Sequence, residues 1–420
     1  MIWIIVSLLI IYFILALKKP HLALALILFL LPSYQIRFNV FALPTTFLEG
    51  MILLFSLATL IREKFNFKNI YFSASRRWRY LVLAWLLCSS LAIFVSPNRI
   101  AALGIWKAYF VEPIILFFLF LFYFRDRSQR KLFIYSLLGS AFYLSVYAIY
   151  QKITGQGVYS LEIWPSGRVL RSTGLFSYPN ALGLYLAPLI MVAVGYWRSA
   201  ISKFEKTFLI SVIISSILAI IFSRSEGAIL GIIIGCFSFG FLYSSWRKKT
   251  ILSFLIFVLI IVGLYFFVPS AKNYLYPKVA FKDFSSQVRL GIWRESFNML
   301  KDHSILGAGL AGYQKTMPSY HKINYVEIYL YPHNIILNFW SELGLLGLII
   351  FILIIYSFFA RARDKIKEAK QKQDISALWL IAAVSSAMIV VLAHGLVDAP
   401  YFKNDLSIIF WLISAVVLAI

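Results

Sequence analysis

The chain has 420 residues, 61% of them hydrophobic and 18% aromatic, with only 14% charged, against roughly a quarter charged in an ordinary soluble domain. That balance excludes a soluble globular fold and points to a membrane protein. A formal net charge of +23 does not make it a nucleic-acid binder, because the basic residues are spread over short loops instead of gathering on one face; topogenic and anionic-lipid roles account for them.

Apolar runs long enough to cross a hydrocarbon core of about 30 Å recur along the whole length. In chain order the predicted spans are 2–17, 20–34, 46–61, 80–95, 104–124, 132–151, 175–196, 207–222, 227–245, 251–268, 334–358, 375–395 and 405–420. The first two are short. Irregular backbone and open sheet edges cannot face lipid, and barrel-type alternation is absent, so the expected fold is an all-α polytopic membrane protein of about 12 to 13 transmembrane helices. Residues 1–420 read as one integral membrane domain, with 269–331 as a large extracytoplasmic loop containing short helices. The N-terminal run lacks a basic leader and a cleavage site and reads as a retained span. Cys88 and Cys236 fall inside spans, so no disulfide is expected.

Lys and Arg sort into alternate loops: Lys18–Lys19, Arg62–Arg79, "RDRSQRK" from Arg125, Arg198–Lys206, "RKK" from Arg247 and "RARDKIKEAKQK" from Arg361. The positive-inside rule makes these cytoplasmic and the C-terminus cytoplasmic too. An odd span count places the N-terminus outside; one span miscounted reverses it.

Polar residues at the outer ends of spans carry the functional signal, because a charge at mid-membrane costs about 2.5 to 3.5 kcal/mol even on the insertion scale. "GRVLRSTGLFSYPNALGLYL" (167–186) leads into the seventh span. Pro179 and Asn180, between Gly174 and Gly183, predict a distorted helix start that lets backbone approach a ligand, with Arg168 and Arg171 just outside it. Interfacial arginines of an ordinary loop fit the same pattern. "FSRSEGA" from Phe222 predicts a tight turn in which Arg224 and Glu226 pair with each other, point to water or face a ligand.

In the long loop, "SSQVRLGIWRESFNMLKD" (285–302) predicts a helix capped by Ser285 or Ser286, with Arg289 and Trp293 on one face and Arg294 pointing away. The same pattern suits a helix lying on the membrane surface. "ILGAGLAGY" (305–313) predicts a lid or a close-packed return. "YLYPHNIILNFWSELGLLGL" (329–348) places Pro332 in a first helical turn and His333 with Asn334 at the outer end of the eleventh span. Glu342, about two turns deeper, is an intramembrane carboxylate with Arg224 or Arg289 as its expected partner. "HGLVDAP" from His394 adds Asp398 at the last outer turn.

No DxD pattern occurs in the outer loops, and His303, His321 and His333 are far apart in sequence, so neither a metal site nor a cofactor is expected. Guanidinium groups hold phosphate oxygens bidentately in any environment, so outer arginines suggest a phosphate-bearing ligand, at a membrane a lipid phosphate or pyrophosphate. A neutral imidazole can take the proton from an attacking hydroxyl. The matching chemistry is substitution at a carbon whose leaving group is a phosphate, with arginines offsetting the charge that develops.

These residues carry a resemblance. The chain resembles the O-antigen ligase and polymerase family, polytopic enzymes that transfer a glycan from undecaprenyl pyrophosphate to an acceptor on the outer face of the membrane. That family's ligases carry His, then Asn, Ser or Gln, nine residues, Gly, two residues, then Gly, Thr or Tyr; His333, Asn334, Gly344 and Gly347 fit it without a gap. "RSTGLFSYPNALGLYL", "FSRSEGAILG" and "RLGIWRESFNMLKDHSILGAGLAGY" are similar to other family segments, so the resemblance runs from about Gly167 to Pro400. It implies a metal-independent, inverting glycosyltransferase of the cytoplasmic membrane, with His333 as general base and Arg171, Arg224 and Arg289 holding the donor pyrophosphate. Asn180, Asn334, Glu342 and Asp398 are supporting residues. The acceptor implied is a lipid, the end of a polysaccharide, or a Ser or Thr of an exported protein. Ligases of the family are described with twelve spans, one fewer than counted here. A different class, an anion (bicarbonate-like) transporter or a lipid-linked sugar flippase, would show internal repeats or paired broken helices; no repeat is found, and the polar residues cluster at one face.

Overall fold

The computed structural model describes residues 2–40, 43–124, 126–158, 161–164, 167–323 and 326–420. Arg125 and the side chain of Arg168 lie outside the described residues. The chain is a predominantly helical multi-pass membrane protein: among the described residues, eight helices are long and apolar enough to cross a membrane, and four shorter ones are apolar as well.

Helices α1 (Ile2–Lys18) and α2 (Pro20–Phe29) open the chain. Pro20 sits at the first helical position of α2, where its missing N–H removes no helix bond. The expected span 20–34 stops short. Leu31–Gln35 tightens into a 3-10 turn around Pro32, and strand β1 (Arg37–Val40) pairs antiparallel with β2 (Leu43–Thr46). Ten residues of helix reach only ~15 Å. A second small hairpin, β3 (Leu161–Trp164) with β4 (Gly167–Leu170), precedes the seventh predicted span.

Then come α3 (Phe47–Arg62), α4 (Phe67–Tyr71), α5 (Arg76–Val95), α6 (Arg99–Trp106), α7 (Glu112–Tyr123), α8 (Arg127–Thr154), α9 (Pro179–Tyr196), α10 (Lys203–Ser223), α11 (Glu226–Leu242) and α12 (Arg247–Phe267). A π-helical turn, Lys107–Val111, joins α6 to α7. The long segment that follows folds into α13 (Pro269–Val279), α14 (Phe284–Asp302) and α15 (Tyr313–Thr316), and the chain ends with α16 (Ile335–Gln371), α17 (Ile375–Gly395) and α18 (Asn404–Ala419).

The centre of the bundle is α9 and α17, apolar on every side and buried almost throughout. Helix α11 packs on both, α16 lies against α17 and α5, and α18 lies against α7. Glycines make these approaches close: a Cβ at Gly183 would lie 2.7 Å from Ala228, and one at Gly195 2.8 Å from Ala383. Helix α12, by contrast, buries only Thr250.

Helix α16 is not continuous. At Gly344 the backbone turns to φ 71°, ψ −175°, a region open in practice only to glycine. The 305–313 return fills the break: Ala308 N–H donates to Ser341 O at 2.7 Å and Leu345 N–H to Ile305 O at 3.0 Å. Gly307 and Gly309 of the return also have positive φ, 66° and 80°. Of the two expectations for this stretch, the close-packed return is the one seen.

Candidate functional site

The site forms where α9, α11, α14 and α16 begin and where α10 and α17 end. His333 is the last residue before the cap of α16. Asn334 is the cap: its Oδ1 accepts from Ile336 N–H at 3.0 Å and Leu337 N–H at 3.1 Å, and its Nδ2 donates to Leu396 O at 3.0 Å. Asn is among the best residues for this position because its short side chain reaches the free N–H groups of the first turn. The helix therefore starts three residues after Pro332, which lies outside the first turn where the sequence had placed it. Pro332 O instead accepts from Trp293 Nε1 at 3.0 Å. His333 itself takes a left-handed conformation, φ 49°, uncommon outside glycine and costly for a bulky residue.

The His333 ring contacts Asp398. Nδ1 lies 3.1 Å from Asp398 Oδ1, and Tyr329 packs edge-on with centroids 5.1 Å apart. The imidazole is 30% exposed and the carboxylate 2%. An ionised carboxylate only accepts, so Nδ1 carries the proton and Nε2 keeps the lone pair. Burial alone would raise the Asp398 carboxyl; the hydrogen bond and charge of His333, the His394 ring and the Ala399 N–H outweigh it and hold it at about 2. Asp398 is anionic across the physiological range.

Asp398 is itself held in place. The segment after it is anchored by Tyr401, whose buried hydroxyl accepts from Trp85 Nε1 at 3.1 Å and Trp411 Nε1 at 3.0 Å and donates to Tyr109 O at 3.0 Å. With every hydrogen-bonding position of that hydroxyl filled, the loop between α17 and α18 has a fixed floor. From the other side, Asn180 Nδ2 donates to Asp398 Oδ2 at 3.1 Å. Pro179 at the first position of α9 starts the helix that presents it.

Arg171 continues the chain of contacts: Nη2 donates to Asn180 Oδ1 at 3.1 Å, and Nε to Ser223 O at 2.8 Å. The Arg171 backbone is fixed by its neighbours, since Ser172 N–H donates to Phe222 O and buried Gln151 accepts from both Thr173 and Gly174 N–H. Arg224 caps α10 in a left-handed turn, φ 52°, with its side chain exposed. Glu226 does not pair with it. It binds Lys278 Nζ at 2.5 Å and Tyr274 OH at 3.0 Å, because α13 lies over the turn.

Helix α14 forms where the apolar stripe predicts it, with Asp283 as cap in place of Ser285 or Ser286; Asp283 accepts from Ser286 N–H at 3.1 Å. Its Arg289 donates from Nε to Val397 O at 3.0 Å and from Nη1 to Ser285 Oγ at 2.6 Å. Arg289 thus stands beside the residue preceding Asp398, and Trp293, one turn on, reaches the residue preceding His333. Glu295 accepts from Lys322 and Ile323 N–H, and His321 bridges Glu295 to Val326 O.

Glu342 is not part of this group. It is fully buried at the break of α16, where Oε2 accepts from Ala311 N–H at 2.6 Å. The expected arginine partner is replaced by backbone of the inserted return. A residue given no role from the sequence is His394, buried under Gly227 at the end of α17, whose ring acts on Asp398. Among the described residues no group of three or more His, Cys, Asp or Glu side chains could hold a metal ion.

Chemically, the arrangement offers an imidazole oriented through Nδ1 by a buried anion, with Arg289 on the adjoining Val397 carbonyl and Arg171 on the Asn180 amide that holds the same carboxylate, and the Arg224 backbone within reach of Arg171. No curated protein matches the chain. Residues 209–352, from α10 through the first turns of α16, match the family model described as O-antigen ligase.

Proposed function

Because residues 209–352 match the O-antigen ligase family model, we propose that the protein is a glycosyltransferase that moves a glycan from undecaprenyl pyrophosphate to an acceptor hydroxyl. The reaction takes place at the outer face of the cytoplasmic membrane, where 269–331 forms the large extracytoplasmic loop. His333 is the general base. Its Nε2 takes the proton of the acceptor hydroxyl as that oxygen attacks the anomeric carbon. The bond from that carbon to the pyrophosphate oxygen breaks, the leaving group keeps the electron pair, and the configuration inverts. Asp398 fixes the tautomer and stabilises the imidazolium that forms. Arg224 and Arg289, with Arg171 behind them, offset the charge on the departing pyrophosphate.

The observation that carries this reading is the His333–Asp398 pair: a carboxylate at Nδ1 makes Nε2 the free, basic nitrogen. Ligase activity is the first assignment within the family, with polysaccharide polymerase and protein O-oligosaccharyltransferase as the alternatives that acceptor labelling separates. Anion transport would draw support from the broken α16 and buried Glu342, but the inserted 305–313 return occupies that break.

The experiment is transfer in proteoliposomes with a lipid-pyrophosphate donor. His333→Ala is expected to abolish transfer while donor binding, read by ligand-induced thermal stabilisation, persists. Wild-type turnover in that variant would remove the general-base role.

A further inference from the structure

We propose that Asn180 is a positioning residue for the base: its side-chain amide, held by Arg171, fixes the Asp398 carboxylate, which in turn fixes the His333 ring. This rests on the general-base reading of His333.

The chemistry of the contacts leaves the amide one orientation. Arg171 can only donate, so the Asn180 atom at 3.1 Å from its Nη2 is the oxygen. Ionised Asp398 can only accept, so the Asn180 atom at 3.1 Å from its Oδ2 is the nitrogen. Both requirements are met together, and a single amide reads one donor and one acceptor on opposite sides. Asp398 Oδ1 then takes His333 Nδ1–H at 3.1 Å and Ala399 N–H at 2.8 Å. Three links thus run from Arg171 to the imidazole, across elements separated by 218 and 65 residues of chain. Arg171 also donates to Ser223 O and, at 3.5 Å, to Arg224 O. The guanidinium that orients Asn180 therefore also holds the turn that presents Arg224.

The charged and titratable groups that act on Asp398 come from several elements. They are His333 before α16, His394 at the end of α17, and Lys403 ahead of α18, whose ammonium sits 3.6 Å over the Phe176 ring. Tyr178, just before α9, senses the same carboxylate, and Arg289 reaches the adjoining Val397 carbonyl. Asn180 is the uncharged donor to Oδ2 among these groups. Removing that donor raises the proton affinity of Asp398, and a coupled His–Asp pair then keeps its proton to higher pH.

The test is the pH profile of kcat/KM for Asn180→Leu and Asn180→Asp in proteoliposomes supplied with the lipid-pyrophosphate donor, beside wild type and His333→Ala. Asn180→Asp keeps the shape while replacing the donor by a second carboxylate, which raises the proton affinity of Asp398 in the same direction, and serves where Asn180→Leu fails to fold. The expected result is an acid limb moved up by about one pH unit, a roughly tenfold loss on the acid side that recovers above it, with donor KM changed less than about threefold. A loss equal at all pH values, or a profile superimposable on wild type, overturns the positioning role. Wild-type turnover by His333→Ala would instead strike the general-base reading itself, whatever Asn180 does.

Discussion

Asp398→Asn is the substitution in which structure and chemistry disagree most sharply, because the shape is kept and the charge is lost. The carboxylate is 2% exposed and holds its proton only below about 2, against an ordinary value of 3.8. A hydrogen bond between charged groups of this kind contributes about 2 kcal/mol. Removing it takes about 2 kcal/mol from the imidazolium formed in the transition state, about thirtyfold in kcat. The hydrogen bonds cannot be rearranged to compensate. If the introduced amide turns its oxygen to His333, its nitrogen meets Asn180 Nδ2. If it turns its nitrogen to His333, the ring must carry its proton on Nε2 and loses its basic site. The assay is initial transfer rate at saturating donor from pH 5 to 9. A group whose folded pKa is depressed contributes above its unfolded value and loses that contribution as pH falls through the folded one, here between about 4 and 2. Asp398 itself therefore stays ionised across the whole assay window, and the substitution removes its charge at every pH tested. A kcat within about threefold of wild type would refute the reasoning.

Arg289→Ala is expected to raise donor KM about tenfold, and Arg289→Lys not to restore it, since an ammonium cannot reproduce both the Val397 and Ser285 contacts; equal KM values for wild type and Ala would contradict this. Gly344→Ala places a Cβ 2.1 Å from Ile305 O at φ +71°, so it should cost at least about 1–3 kcal/mol and lower the melting temperature in detergent. An unchanged melting temperature would mean that the break relaxes without cost. Chelation by EDTA is expected to leave transfer unchanged; a loss restored by added Mg²⁺ would contradict arginine-only stabilisation of the leaving group.

What could be read from the sequence followed from short-range rules. Long apolar runs announced the spans, the Val288, Ile292 and Leu300 stripe announced α14, and the Pro-His-Asn mouth announced a helix start, though Asn334 and not Pro332 begins it. What escaped depends on partners distant in the chain. The Glu342 contact requires the 305–313 return to enter a broken helix, and the glycines that permit the break look like ordinary glycines in a membrane span. Glu226 was read with its near neighbour Arg224, yet a lysine from α13 reaches it. Asn180, Asp398 and His333 were each singled out, but 218 residues separate the first two, and no local pattern states that they touch. The two hairpins fall in connections between predicted spans, where strands of four residues are too short for alternation to announce them, and the π turn lies inside an apolar run that fits an α-helix equally well.

Helix α14 carries Arg289 on the Val397 carbonyl, Trp293 on the Pro332 carbonyl and Glu295 on the Lys322 and Ile323 amides. These three grips fall within two turns of one rod. The same rod thus ties the Arg289 guanidinium to the peptide immediately before His333. In the proposed reaction, donor capture at Arg289 and the aim of His333 are therefore joined through one rod.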